Sequence, residues 1–182
     1  MSNVDLYVDN LLSLWEQVPE SVREEGRQWY PNAHKLAREI GHGDVYMGAG
    51  VLAALSPQKA WDLNIKLAKL ASDGVFSGHV GDALRKAKRI MDGENPSDVL
   101  PTGAKTWHFY HNIALPLAEC WVTVDRWAWR AATDDMDNGN PVINKTTYRE
   151  VGTAYIVAAR EVSEIPCDLQ AGLWGYVRGS MV

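Results

Sequence analysis

Residues 47–56, MGAGVLAALS, carry no charge and present no polar face. A run of that kind must be covered on every side, which makes it a core strand or a core helix. No alternating apolar–polar run that could pair with a strand lies nearby. Its glycines and alanines instead suit a helix approached closely by its neighbours, and the surrounding sequence supplies helical patterns. Val4, Leu11, Leu12 and Trp15 recur at near-helical spacing over residues 4 to about 17, where Pro19 ends the element. A second stripe over about 20–40 takes in Val22, Trp29, Ala33, Leu36, Ala37 and Ile40, with Pro31 a point of interruption. Further helices are expected over about 57–72, with Pro57 in the first turn, and over about 79–92, 104–114, 146–163 and 167–178. Trp121 to Val124 reads as briefly extended, Asp125 as a helix start and 134–141 as a polar loop. The expected fold is therefore all-α, one domain over residues 1–182 with two small helical lobes around a cleft.

With 46% hydrophobic and 23% charged residues, the chain can bury a sizeable core. No apolar run approaches the roughly 18 residues of a membrane span. The opening MSNVDLYVDN lacks the basic and apolar segments of a secretory leader, so a cytoplasmic protein with no membrane partner is expected, a monomer by default. Cys120 and Cys167 are the only cysteines, too few for a four-cysteine metal site or a disulfide framework. The net charge of −5 argues against non-specific coating of DNA, because displacing counterions takes many cations. A focused basic surface can still exist on an acidic body. Arg85, Lys86, Lys88 and Arg89 are its best candidate, and the same stretch also reads as a solvated helix face.

Three segments could carry chemistry. In LPTGAKTWHFY, residues 100–110, a Pro–Gly turn opens a helix whose first backbone N–H groups make a natural seat for a phosphate. Lys105 lies in the first turn, where the helix dipole opposes its charge and favours use as an amine nucleophile. A phosphate-contacting or solvated lysine fits the same position. In VTVDRWAWRAA, residues 122–132, Asp125 meets the requirements of a helix N-cap, and its fixed carboxylate could also serve a cleft. In LSPQKAWDLNIKLA, residues 55–68, Gln58 could place an amide in a base stack or groove, or be a polar residue at a helix start.

Taken in order, these segments resemble the helix-hairpin-helix DNA glycosylase superfamily, which includes endonuclease III and 8-oxoguanine DNA glycosylase. That family carries L-P-G-x-G-x-K-T, then V-D-x-H-x-x-R some twenty residues on; LPTGAKT and VDRWAWR are the counterparts here. LSPQKAWDLN echoes the upstream L-L-S-x-Q-x-x-D-x-x-x-N, and KAKRI resembles the K-A-x-x-I that precedes the hairpin. The resemblance spans about residues 45–132. It implies that Lys105 attacks C1′ of the deoxyribose and that Asp125 stabilises the developing sugar cation. It implies that Gln58 fills the hole left by a flipped base. Thr102, Gly103 and Ala104 would grip a phosphate, with a monovalent cation bound there in some members, and Lys86 and Arg89 would add DNA contacts. A flipped base needs a lined pocket, for which Trp29, Tyr30, Trp61, Trp107 and Trp127 are candidates.

The departures are specific. The hairpin is one residue shorter than the family pattern and has one glycine, Trp127 stands where the family has histidine, and the four cluster-binding cysteines are absent, so no iron–sulfur cluster is expected. The chain is also similar to small glycosylase-like proteins of phage genomes, some linked to thymine hypermodification, which places it in a bacterial or phage-infected cytoplasm. The expected partner is double-stranded DNA carrying a damaged or modified base. Excision of that base, with or without strand cleavage, is the first expectation. A base-hypermodifying transferase on the same fold and a non-catalytic DNA-binding module are the alternatives.

Overall fold

The computed structural model describes residues 2–179 and is helical throughout its regular structure. The elements are α1 (Asn3–Gln17), α2 (Glu20–Ile40), α3 (Val45–Ala54), α4 (Trp61–Ser72), α5 (Gly81–Met91), α6 (Pro96–Val99), α7 (Lys105–Ala114), α8 (Arg126–Thr133), α9 (Lys145–Glu161) and α10 (Pro166–Arg178). The chain divides into two compact units. A terminal unit joins the chain up to Tyr30 with Leu117 onward, and a unit central in sequence is Pro31–Pro116. Pro31 does not interrupt the second helix: α2 continues through it, although Pro31 has no N–H to offer the carbonyl of Arg27. No helix among the described residues is long and apolar enough to cross a membrane.

In the terminal unit α1 opens on a reciprocal capping box. The Asp5 N–H donates to Ser2 Oγ at 3.2 Å and the Ser2 N–H to Asp5 Oδ2 at 2.9 Å. Val8, Leu11 and Trp15 form the buried stripe of α1, which packs on α8 and α9, and α10 closes over the same pair. Large side chains dominate this core. Tyr155 is wholly buried and its hydroxyl donates to the Ala128 carbonyl at 3.2 Å. Trp15 lies under the Arg23 guanidinium, whose Nη2 donates to the Trp15 carbonyl at 2.6 Å.

The central unit is built around α3, which meets α4, α5, α6 and α7. Every residue of α3 from Gly48 to Ala54 is buried, as the absence of a polar face requires. Asp44 starts it, its Oδ1 accepting the N–H groups of Tyr46 and Met47. At Gly48 a side-chain methyl would run into the Ala37 carbonyl of α2, so the residue lets two helix backbones touch. One local expectation needs correction, and one element is added. The helix expected from Pro57 begins at Trp61, because Gln58 takes a left-handed φ of 58° that no helix can include. A short helix, α6, occupies Pro96–Val99, where Asn95 caps it and Pro96 fills its first turn.

Candidate functional site

Residues 100–105, the hairpin of the sequence reading, lie in the central unit. The short helix α6 ends at Val99, Leu100 is buried, and the chain turns through Pro101–Ala104 before α7 begins at Lys105. The Ala104 N–H donates to the Pro101 carbonyl at 3.0 Å and Gly103 takes a φ of 77°, which closes the turn at little cost for glycine. Thr102 and Gly103 are exposed, as is Lys105, the first residue of the helix. Ala104 is the N-cap and has no capping side chain, so the donors of the first turn are presented by backbone alone. This suits a phosphate. It suits a cation less well: the Pro101 carbonyl holds the turn, and the Ala104 carbonyl takes both the His108 N–H at 3.1 Å and the His108 Nδ1–H at 3.0 Å.

Beyond Lys105, α7 carries a row of rings. Trp107 packs on His111 with centroids 4.0 Å apart and edge-on to His108 at 5.2 Å, while Phe109 meets Trp61 of α4 edge-on at 6.1 Å. Burial lowers the affinity of His108 for a proton. Trp61 and Trp107 are half-buried, in keeping with either a core edge or a ligand wall.

Asp125 belongs to the terminal unit. It is the N-cap of α8, and both capping bonds fall on Oδ1, from the N–H of Trp127 at 3.0 Å and of Ala128 at 2.8 Å. Oδ2 accepts no hydrogen bond among the described residues, so the cap leaves half of the carboxylate for other work. Tyr148 holds the strand-like approach to Asp125. Its hydroxyl donates to the Val122 carbonyl at 2.9 Å and accepts the Val124 N–H at 3.0 Å. Tyr30 is buried, with its hydroxyl donating to Gln170 Oε1 at 3.3 Å and sharing a hydrogen bond with Thr123. Burial first, and the Asp125 charge with it, keeps Tyr30, Tyr148 and Tyr155 protonated far above the usual tyrosine range. Trp29 lies edge-on to Tyr30 at 4.8 Å.

Sequence reasoning assigns no task to Arg130, Tyr148 or Gln170. Arg130 is 7% exposed, its Nε donates to the Asn138 carbonyl at 2.8 Å, and its guanidinium lies 4.5 Å from the ring of Trp127. The position that holds histidine in the resembled family is thus a tryptophan engaged by a buried cation. Motif spacing picks out Arg130, whereas Tyr148 and Gln170 lie in helices with no readable pattern.

The expected DNA contacts of α5 meet a competing arrangement. Lys86 Nζ pairs with Asp82 at 2.7 Å and Arg89 Nη2 with Glu94 at 2.6 Å, while Arg85 shares Asp82 and Lys88 pairs with Asp92. A phosphate would have to displace these partners, which is feasible for exposed pairs because water screens them. Gln58 is exposed at the tip of its turn before α4. No cluster of three or more His, Cys, Asp or Glu is placed to hold a metal among the described residues. Cys120 is exposed and Cys167 buried.

No curated protein and no solved structure matches the chain. One family does, a family of unknown function, DUF7178, over residues 1–181. The chain belongs to that family.

Proposed function

We propose that the protein is a DNA glycosylase with lyase capability, acting on a damaged or modified base turned out of a duplex. The observation that carries this reading is that the three motif residues all stand at loop-to-helix junctions. Gln58 tips the turn before α4, Lys105 opens an α7 without a capping side chain, and Asp125 caps α8 through Oδ1, its Oδ2 accepting no hydrogen bond among the described residues. Such junctions fix a side chain's origin while leaving its end to a ligand.

In this reading the phosphate next to the target nucleotide docks on the backbone of Thr102, Gly103 and Ala104. Oδ2 of Asp125 faces the positive charge that grows on the sugar as the C1′–N bond breaks, an electrostatic stabilisation of the transition state. The Lys105 amine forms a bond to C1′, and the base departs with the electron pair of the broken bond and is protonated. The amine proton passes to the ring oxygen as the sugar opens to a Schiff base, and loss of a C2′ proton to solvent then expels the 3′ phosphate by β-elimination.

Borohydride trapping on duplexes with an abasic site or a panel of modified bases tests this. A covalent adduct with the wild-type protein, lost in Lys105→Ala, is the expected result. Asp125→Asn should slow base release by about a hundredfold or more, the scale of one lost electrostatic stabiliser, while leaving duplex affinity intact. Unchanged turnover in Asp125→Asn would sink the assignment. A second reading, a non-catalytic interaction module, draws on the acid-paired α5. It predicts no adduct on any substrate and duplex binding indifferent to Lys105→Ala.

A further inference from the structure

The conformation of Gln58 is not one that glutamine selects for itself. The Ser56 carbonyl accepts the Lys59 N–H at 3.2 Å, which closes a four-residue turn with Pro57 second and Gln58, at φ 58°, third. Proline in the second place and a positive φ in the third are the marks of a type II turn, whose third place favours glycine. A side chain with a Cβ is held there against its local preference. Type I and type II turns differ in the peptide joining the two central residues. Turning that peptide over carries the Pro57 carbonyl to the opposite side and moves Gln58 between negative and positive φ. Whatever grips the Pro57 oxygen therefore selects the turn.

His79 grips it. Its Nε2 lies 3.1 Å from the Pro57 carbonyl oxygen, and its Nδ1 lies 2.8 Å from the Val80 backbone nitrogen. The Val80 N–H can only donate, so Nδ1 accepts and carries no proton. The one proton of the neutral ring is left on Nε2, facing the carbonyl. From the other side the turn is tied to the end of α3, where Ser56 Oγ donates to the Ala53 carbonyl at 2.8 Å. The loop that carries His79 contains no other part of the candidate site.

We propose that His79 is a positioning residue: it holds the Pro57–Gln58 peptide in its type II state and so presents the Gln58 amide to the vacated base position of a duplex. The ligand half of this statement rests on the DNA reading above; the turn half does not. The test measures affinity for a duplex containing a tetrahydrofuran abasic analogue, using the wild type, His79→Asn, His79→Gln, Gln58→Ala and the His79→Asn/Gln58→Ala double variant. Glutamine carries an amide nitrogen near the place of Nε2 and keeps the donor; asparagine reaches only the place of Nδ1. His79→Asn should weaken binding about five- to tenfold, the scale of one net hydrogen bond, and His79→Gln should restore most of it. In the Gln58→Ala background His79→Asn should cost nothing further, because both changes remove one contact. An undiminished loss in that background overturns the proposal. A second measurement is independent of DNA: the Gln58 HN–Hα coupling and its Cα and Cβ shifts report the sign of φ by NMR. Positive φ is expected in the wild type and His79→Gln, negative in His79→Asn. Retention of positive φ in His79→Asn overturns the clamp. A change of sign in a protein that binds no duplex upholds the clamp and removes the DNA reading beneath it.

Discussion

The terminal and central units bury different kinds of material. The terminal unit fills its core with Trp15, Tyr155, Leu11, Leu169 and Leu173; the Tyr155 hydroxyl donates to a backbone carbonyl, and a guanidinium lies over the Trp15 ring. The central unit is organised around a helix of glycine, alanine, valine and leucine, where backbone meets backbone at Gly48 and Ala37. The first arrangement depends on volume being present and the second on volume being absent. Each should therefore fail under the opposite kind of substitution.

Trp15→Ala, a deletion, is expected to cost about 3–5 kcal/mol in unfolding free energy, the range for truncating a buried aromatic. Gly48→Ala, an addition of one methyl group, should cost about 1–3 kcal/mol, because the atom it meets belongs to the backbone and cannot rotate away. Hydrogen exchange tells the two apart. Amides of α1, α8, α9 and α10 should lose protection in Trp15→Ala, and those of α3 and its neighbours α4 to α7 in Gly48→Ala. A Gly48→Ala protein as stable as the wild type would mean that α2 and α3 can separate, and the contrast between the units would dissolve.

How far the sequence reveals this depends on what holds each element. The stripes of α1 and α2 and the apolar α3 follow from side-chain periodicity alone. So does Asp125 as a cap, since an aspartate ahead of an apolar repeat needs only its own helix. Lys105 falls in the first turn of α7, as the Pro–Gly turn ahead of it implies. The place where the two units divide is not legible, because α2 reads as one stripe on both sides of Pro31. The start of α4 is misplaced for a different reason: Pro57 is as suited to a turn as to a first helical position, and the choice is made by His79, twenty-two residues away. Contacts that cross between elements leave no local mark, whereas the pairs of α5 do: Asp82, Asp92 and Glu94 stand three to five residues from the cations they meet.

Buried charge separates the units again. Among the described residues Asp168 is the one buried acid, and it lies in the terminal unit; the buried polar side chains of the central unit are Asn64, Asn112 and His111. Burial raises the Asp168 carboxyl to about 7, with the Glu164 and Glu24 charges adding to the effect; the Cys167 Sγ at 3.7 Å and Arg27 oppose it. A folded-state value above the unfolded one means that the native protein holds the proton more tightly. The contribution of Asp168 to stability is therefore complete below about pH 4 and lost as the pH rises through about 7. Between pH 5 and pH 8 the wild type should lose about 3 kcal/mol relative to Asp168→Asn, given about 1.4 kcal/mol per pH unit. Urea unfolding of both proteins across that range reads the difference. Parallel curves would show that Asp168 stays ionised in the fold, with water or Arg27 meeting its charge.

The smallest expected effect has the opposite sign and lies outside either core. Among the turns of the central unit that place a residue at positive φ are the hairpin, with Gly103, and the turn before α4, with Gln58. The hairpin uses the residue that the conformation favours and the other turn does not. Gln58→Gly should therefore stabilise the protein, by about 1 kcal/mol, the lower end of the left-handed cost for a residue with a Cβ. The gain is set against the extra unfolded-state freedom of glycine, which takes back part of it. For a chain of this size it corresponds to a rise of about 2–4 °C in Tm, measurable by calorimetry. The same variant should bind an abasic duplex more weakly, since it has no amide to insert. Stability rising while affinity falls would identify the strained turn as kept for what Gln58 touches. If both fall together, the left-handed glutamine is a packing residue of the turn, and the comparison with Gly103 ends at backbone geometry.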